Sequence, residues 1–371
     1  MFLYTELANT YYNTIASHFQ RSSVFCFSQS NALHQNISAA QQNKQDKTIG
    51  AIVKAKQLVL APIRTPPATK VRRALKGHFG RVTALHWGGD SRVLVSAGQD
   101  GNLLVWNAVT SNKLQSISLK SSYVMAVGIE QTKGNLVACG GLDNLCTVYK
   151  RSNPEFATEM ASHDGFLSCC RFLSEQQLLT SSGDSTCILW DVPNAKPIST
   201  FAEHKADAMF LAVKPDDKNV FISCSVDQTV KVWDIRAPDA SGLTFRGHTG
   251  DINSVEFMPS DNSCFASCGQ DQTVRVFDLR VYNEVARFSS GKAMDTETDG
   301  LSSCAFSKSG RLIFCGTSDG NVLAFDVLAD KKGPTFTLTG AHEKQVSCVG
   351  VSPHGEALCT GSWDSVLKIW A

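Results

Sequence analysis

No stretch of 18 residues in this 371-residue chain is apolar enough to cross a membrane. The aromatic-rich first 30 residues also lack the seven-residue apolar run that a signal peptide needs, and their single Arg21 is too little for a mitochondrial presequence. Charge of one sign is missing too: 35 Lys and Arg against 34 Asp and Glu leave a formal net charge of +1, which argues against bulk attraction to nucleic acid or anionic lipid. A phosphate-cradling GxxxxGK[ST] loop does not occur. The thirteen cysteines include no CxxC and no metal-spaced partnership with histidine, so neither a cofactor nor a metal is expected. Twelve of them lie in strand-like apolar runs and read as buried reduced thiols of a cytosolic protein.

What is present is a repeat. The stretch 178–192, LLTSSGDSTCILWDV, holds a short apolar strand, a turn on Gly183-Asp184, and a second strand ending at Trp190-Asp191. Asp184 stands six residues before Trp190, and the interval recurs at Asp100 and Trp106, Asp143 and Tyr149, Asp227 and Trp233, Asp271 and Phe277, Asp319 and Phe325, and Asp364 and Trp370. Successive aspartates are 43, 41, 43, 44, 48 and 45 residues apart. Self-similarity at that period predicts the four-stranded blades of a β-propeller, seven of them, in an all-β body. Within TVKVWD, alternation sends Val230 and Val232 one way and Lys231 and Trp233 the other, with Lys231 a blade-side position outside any partner surface.

A second element precedes five of the aspartates by 21 to 23 residues: His78, His163, His204, His248 and His342. In the same five blades Ser96, Thr180, Ser223, Ser267 and Thr360 stand four residues before the aspartate, whereas blades two and six lack the histidine and carry Cys139 and Cys315 instead of the hydroxyl. A buried carboxylate requires donors, and an imidazole N–H, a hydroxyl and an indole N–H can each supply one. Histidine, hydroxyl and tryptophan are therefore expected to converge on each aspartate. A catalytic dyad has no reason to recur five times around a ring, so these residues read as structural struts and not as an active site.

The ends of the chain suggest how the ring closes. The last repeat stops at Trp370-Ala371, after its third strand, and the VRRAL segment 71–75 is the free strand that can complete it, removing two open edges. Residues 71–371 are thus one propeller. Residues 1–30 are expected to be disordered. Residues 31–70 are expected to form a helical and linker segment, with Leu33, Ile37, Ala40 and Ile52 on its apolar positions and Pro62, Pro66 and Pro67 ending it. Asp295–Asp299 reads as a solvated acidic insertion in blade six.

Gly-His and Trp-Asp pairs place the repeats in the WD-repeat family, and longer strings go further. RRALKGHFGRVTALHWGGDSRVLVSAGQDGNLLVWN (72–107), LVACGGLDNLCTVY (136–149), GFLSCCRFLSEQQLLTSSGDSTCILWDV (165–192), FSKSGRL (306–312) and GSWDSVLKIW (361–370) resemble the beta subunit of heterotrimeric G proteins. The resemblance implies a non-catalytic scaffold in receptor signalling. Its partners would be an obligate gamma subunit on the N-terminal segment, an alpha subunit in its GDP state, and effectors after release. It also implies a cytoplasmic protein held at the inner face of the plasma membrane only through lipidated partners. The family's alpha and effector surface, carried over by position, falls on Arg81, Leu104, Lys113, Ser122, Tyr123, Met125, Leu142, Asn144, Phe166, Asp207, Met209, Asp251, Asn253 and Trp363. Departures are Tyr123 where the family usually has Trp, Thr83 for Tyr, Asn102 for Lys, Gln270 for Asp and Gln345 for Arg. The alternative is another WD-repeat scaffold, of the ribosome-associated or ubiquitin-ligase type, with the same fold and different partners.

Overall fold

The structure, a computed structural model, describes residues 70–238, 242–291, 300–329 and 332–371. The expectations for residues 1–30, for 31–69 and for Asp295–Asp299 lie outside the described residues. The described residues form seven four-stranded antiparallel sheets and no helix. Six sheets take their strands in chain order. The seventh runs Val346–Val351, Leu358–Ser362, Val366–Trp370 and then Val71–Lys76, so the first strand of the propeller is the outer strand of its last blade. Val71 stands opposite Trp370 and Lys76 opposite Val366. Beyond that ladder the Arg72 Nε donates to the Ala371 carbonyl at 3.0 Å.

Each blade is sandwiched between two others, which is why its inner strands read as nearly continuous apolar text. Leu136–Gly141 and Cys264–Gly269 are buried at every position. The twelve cysteines among the described residues are all buried and unpaired. Lys231 shares a face with Trp233, yet it is not a solvated residue: its Nζ meets Glu203 at 3.1 Å and the Thr244 hydroxyl at 2.9 Å. The neighbouring blade and the outer strand cover the stem that alternation alone left in water.

Every innermost strand carries a β-bulge after its first residue, for example at Thr83 between Val82 and Ala84 and at Met209 between Ala208 and Phe210. A bulge turns one side chain out of the ladder and re-aims it. Here it aims at the next blade. Thr83, Ser168, Asn253, Ser302 and Ser347 each donate to the carbonyl of the first residue of the following blade's innermost strand, at 2.8 Å from Asn253 to Leu301 and 2.6 Å from Ser347 to Val82. At the two other seams the bulge residue is Met125 or Met209, which has no such donor.

The strut residues converge, but not as expected. Tryptophan and hydroxyl do not donate to the aspartate; they form a chain that ends on it. In blade three the Trp190 indole donates to Thr180 Oγ1 at 2.8 Å, that hydroxyl meets His163 Nε2 at 2.8 Å, and His163 Nδ1 meets Asp184 at 2.7 Å. The carboxylate can only accept, so Nδ1 carries the proton and Nε2 accepts from the hydroxyl. Blades one, four and seven repeat the chain through Trp106, Ser96, His78 and Asp100, through Trp233, Ser223, His204 and Asp227, and through Trp370, Thr360, His342 and Asp364. Blade five has Phe277 in place of the indole, and only Ser267, His248 and Asp271 are linked. The amide after each histidine (Phe79, Asp164, Lys205, Thr249 and Glu343) also donates to the aspartate. So does the amide two residues beyond it. Burial opposes the Asp227 charge, but Thr229, the Lys205 amide and His204 outweigh it and hold the carboxyl at about 2. His78 and the Phe79 amide do the same for Asp100, again about 2. Asp143 and Asp319, in the blades without histidine, are exposed.

Three outcomes follow from this architecture. Asp184→Ala leaves the His163 Nδ1–H and the Asp164 amide without their acceptor, and is expected to lower unfolding free energy by about 2–4 kcal/mol. Asp143→Ala, at an exposed turn, is expected to cost well under half of that; equal losses in chemical denaturation would contradict the strut. On acidification both kinds of strut residue act in one direction. Burial holds His204 and His342 below their ordinary pKa, so the folded state resists their protonation and stability falls as pH drops below roughly 6.5. The depressed aspartates add a second loss as pH falls from about 4 toward their folded values. Melting temperature against pH is expected to show both phases, and a flat profile from pH 7 to pH 5 would exclude the first. Finally, a chain beginning at Lys70 is expected to melt cooperatively, while one beginning at Gly77 exposes the edge of Val366–Trp370 and aggregates. Size-exclusion chromatography separates the two.

Candidate functional site

The turns that carry the strut aspartates share one end of the propeller with the segments that follow each histidine. A backbone hydrogen bond clamps one residue from each turn to one from each segment: Gln99 to Arg81 at 2.9 Å, Leu142 to Tyr123 at 3.1 Å, Gly183 to Phe166 at 2.9 Å, Val226 to Asp207 at 3.0 Å, Gln270 to Asp251 at 2.8 Å, and Trp363 to Gln345 at 3.0 Å. In the five blades with a histidine the aspartate network fixes the turn, and in all six the clamp presents two side chains per blade around the mouth of the central channel. A Cβ at Gly141 would overlap the Tyr123 carbonyl at 1.8 Å, so only glycine lets Leu142 and Tyr123 approach this closely.

Seen from the channel, six of the candidate residues come together. Tyr123, Met125, Leu142, Met209, Asn253 and Trp363 line one central cavity of about 880 Å³. Tyr123 and Leu142 are each 53% exposed, an apolar pair on blade two. Arg81 joins them by laying its guanidinium over the Trp363 ring, 4.4 Å from the ring centre, which bridges blades one and seven. Met125 and Met209 are the two bulge residues that make no seam hydrogen bond, so their flexible thioethers face the mouth instead.

Around this centre the remaining candidates are spread. Ser122 is exposed beside the Gly101 turn. Asn144 has left-handed backbone (φ 61°) and its side-chain amide caps the Asp164 carbonyl of blade three at 3.1 Å. Phe166 lies flat over Gly183, where a methyl group would stand 2.3 Å from its ring. Asp207 and Asp251 are half-buried and place two carboxylates on blades four and five, across from Arg81 on blade one.

Two candidates stand apart from the mouth. Leu104 is 1% exposed and belongs to the core shared by Leu75, Trp106 and Leu367, because its place in the third strand of blade one turns it toward blade seven. Lys113 is exposed but begins the outer strand of blade one opposite Trp106, at the end away from the Asp100 turn, so it belongs to the blade's side and not to the mouth. One residue was missed. Phe79 is 92% exposed on the turn directly after His78, with its amide held by Asp100. An aromatic residue immediately after a Gly-His pair, in a segment already known to be a surface turn, is the signal that would have found it.

No metal-holding cluster occurs among the described residues, and the five histidine–aspartate pairs are each closed by a buried hydroxyl, which leaves no reacting position. The family description "G protein beta WD-40 repeat protein" matches residues 26–371. The guanine nucleotide-binding protein subunit beta of Dictyostelium discoideum is 50% identical over 306 residues, covering 81% of this chain and 85% of that protein. The solved structure of U3-55K covers 80% of the chain with a TM-score of 0.69 at 20% identity, a likeness of fold alone. By its seven blades, its repeats and this extent of identity, the chain belongs to the G protein beta WD-40 repeat family.

Proposed function

We propose that the chain is a G protein beta subunit, a rigid non-catalytic platform whose channel-mouth face binds a GDP-loaded alpha subunit and, once that partner leaves, effectors. One observation supports this most directly: Tyr123, Met125, Leu142, Met209, Asn253 and Trp363, taken from six separate positions in the sequence, line a single mouth. Their composition suits an interface, with aromatic and long apolar anchors at the centre and charges at the rim. Tyr123 is smaller than a tryptophan but keeps a flat face and a polar tip, so it serves as an anchor. Phe79 extends the apolar surface toward the outside of blade one, and Asp207 and Asp251 select a partner with a basic patch opposite blades four and five.

A gamma subunit is assigned to the segment before the propeller. Leu33, Ile37, Ala40 and Ile52 are the apolar residues that pairing would bury, and short helices gain most of their stability from such burial. Membrane attachment at the inner face of the plasma membrane then comes from a lipid on gamma. No described helix is long and apolar enough to cross a membrane.

The decisive experiment is a pull-down of one alpha subunit loaded first with GDP and then with a GTP analogue. Wild-type chain is expected to bind the GDP form only. Tyr123→Ala with Trp363→Ala removes two anchors, each worth about 2 kcal/mol, and is expected to abolish binding with melting temperature unchanged. Ile198→Ala, on the outer strand of blade three and half exposed, is the control and binds as wild type; Lys231 is unsuitable because it is buried against Glu203. Equal binding in both nucleotide states, or full binding by the double variant, would overturn the assignment in favour of another WD-repeat scaffold.

A further inference from the structure

Toward the end of the innermost strands that lies away from the mouth stand their fifth residues. Four blades place glycine or alanine there. Blades one, three and five place His86, Arg171 and Glu256, and all three line the channel. They are spaced around the ring with small residues between, of which Gly128 and Gly350 pack against Cys170 and Leu85 of neighbouring blades, and the three side chains make this waist of the channel polar. None of the three belongs to the face described above.

Each is anchored to protein by one edge and presents the other to the channel. His86 Nδ1 accepts the Ile129 amide at 3.0 Å, which puts the ring proton on Nε2 as a donor. Arg171 Nη1 donates to the Val127 and Cys170 carbonyls at 3.0 and 2.7 Å, and the guanidinium lies 5.0 Å from the Phe210 ring centre. Its Nη2 and Nε meet no acceptor among the described residues. Glu256 Oε2 accepts the Phe306 amide at 2.7 Å, leaving Oε1. No ion pair joins Glu256 to Arg171, although the cation is near enough to act on both other groups.

We propose that this waist is a binding site for a small phosphate anion, held by Arg171, by the His86 Nε2–H and by the Glu256 carboxyl acting as a donor. Three donors arriving from three blades suit a tetrahedral anion with oxygens to spare better than a planar carboxylate with two. The electrostatics agree. Burial pushes Glu256 up to about 7 against the Phe306 amide and the Arg171 charge, so the acid form is available near neutral pH. Burial and Arg171 together hold His86 neutral. The other titratable groups near Glu256 are the thiols of Cys304, held neutral by its Cys268 hydrogen bond and burial, and of Cys315, held neutral by burial. The site therefore carries one fixed positive charge and takes up a proton with its ligand. Lys308 lines the far mouth, at the opposite end from Tyr123, so an anion can enter while a partner covers the other face.

Calorimetry of the full chain with inorganic phosphate at constant ionic strength tests this. One phosphate per chain is expected, with affinity falling at least tenfold between pH 6.5 and pH 8.5. Glu256→Gln keeps a donor at every pH and is expected to bind at least tenfold tighter than wild type at pH 8.5, with a smaller change than wild type between pH 6.5 and pH 8.5. Arg171→Met is expected to lose at least tenfold, and acetate to bind at least tenfold more weakly than phosphate. No phosphate binding by the wild type, acetate binding as tightly as phosphate, or a Glu256→Gln chain no tighter than wild type at pH 8.5 would each overturn the proposal. Should Arg171→Met fail to fold, the Glu256→Gln comparison at pH 8.5 decides alone.

Discussion

Everything in this molecule depends on a closed ring, and the ring is closed by pairing the first strand with the last. A propeller blade buries neither of its sheet faces by itself; it does so only between two neighbours. With Val71–Lys76 laid on Val366–Trp370, blade seven becomes a full neighbour to blade one, and the seams at Ser347 to Val82 and Trp87 to Gly350 can form. Residues nearly 300 positions apart then carry the same load as those in adjacent repeats. Closure also removes two edges that would otherwise recruit other strands.

The bulge in each innermost strand is where rigidity and recognition compete. At five seams the re-aimed side chain is a hydroxyl or an amide, and it ties its blade to the next. At the seams after Met125 and Met209 that bond is given up, and a flexible apolar chain turns toward the mouth instead. Each such seam forgoes a hydrogen bond worth about 1 kcal/mol net. A ring with five intact ties keeps its shape while two positions are left to line the mouth. Asn253 manages both roles, tying blade five to blade six at 2.8 Å and lining the mouth.

The repeat made the fold legible, because a six-residue interval between aspartate and aromatic residue survives the variation of everything around it. The identities of the strut residues were legible for the same reason, while their connectivity was not. Spacing reports that Trp190, Thr180, His163 and Asp184 share a site; it does not report that the hydroxyl faces the imidazole and leaves the carboxylate to backbone amides. The burial of Leu104, which came by position from the resemblance, and of Lys231, which came from alternation, was not legible. Alternation predicts which face of a sheet a residue takes, but in a propeller both faces are covered, so exposure depends on which level of the blade a residue occupies. The bulge was not legible at all, since Thr83, Ser168 and Met209 look alike as second residues of an apolar strand.

The same scaffold also holds carboxyl groups in two opposite conditions, and the contrast explains which of them can respond to a ligand. Asp227 and its counterparts are surrounded by a histidine N–H and two backbone amides, joined at Asp227 by the Thr229 hydroxyl, so their charge is secured by the fold alone. Glu256 has one amide donor and a buried setting, which leaves its charge unpaid and its proton exchangeable. Burial acts on both. What differs is the number of fixed N–H groups within reach, and that number is set by position in the blade: the turn at the channel mouth concentrates amides, whereas the middle of an innermost strand has already committed its amides to the ladder. A carboxylate placed at a turn therefore becomes a strut, and one placed at the waist becomes a group that can take up a proton from solution when an anion binds.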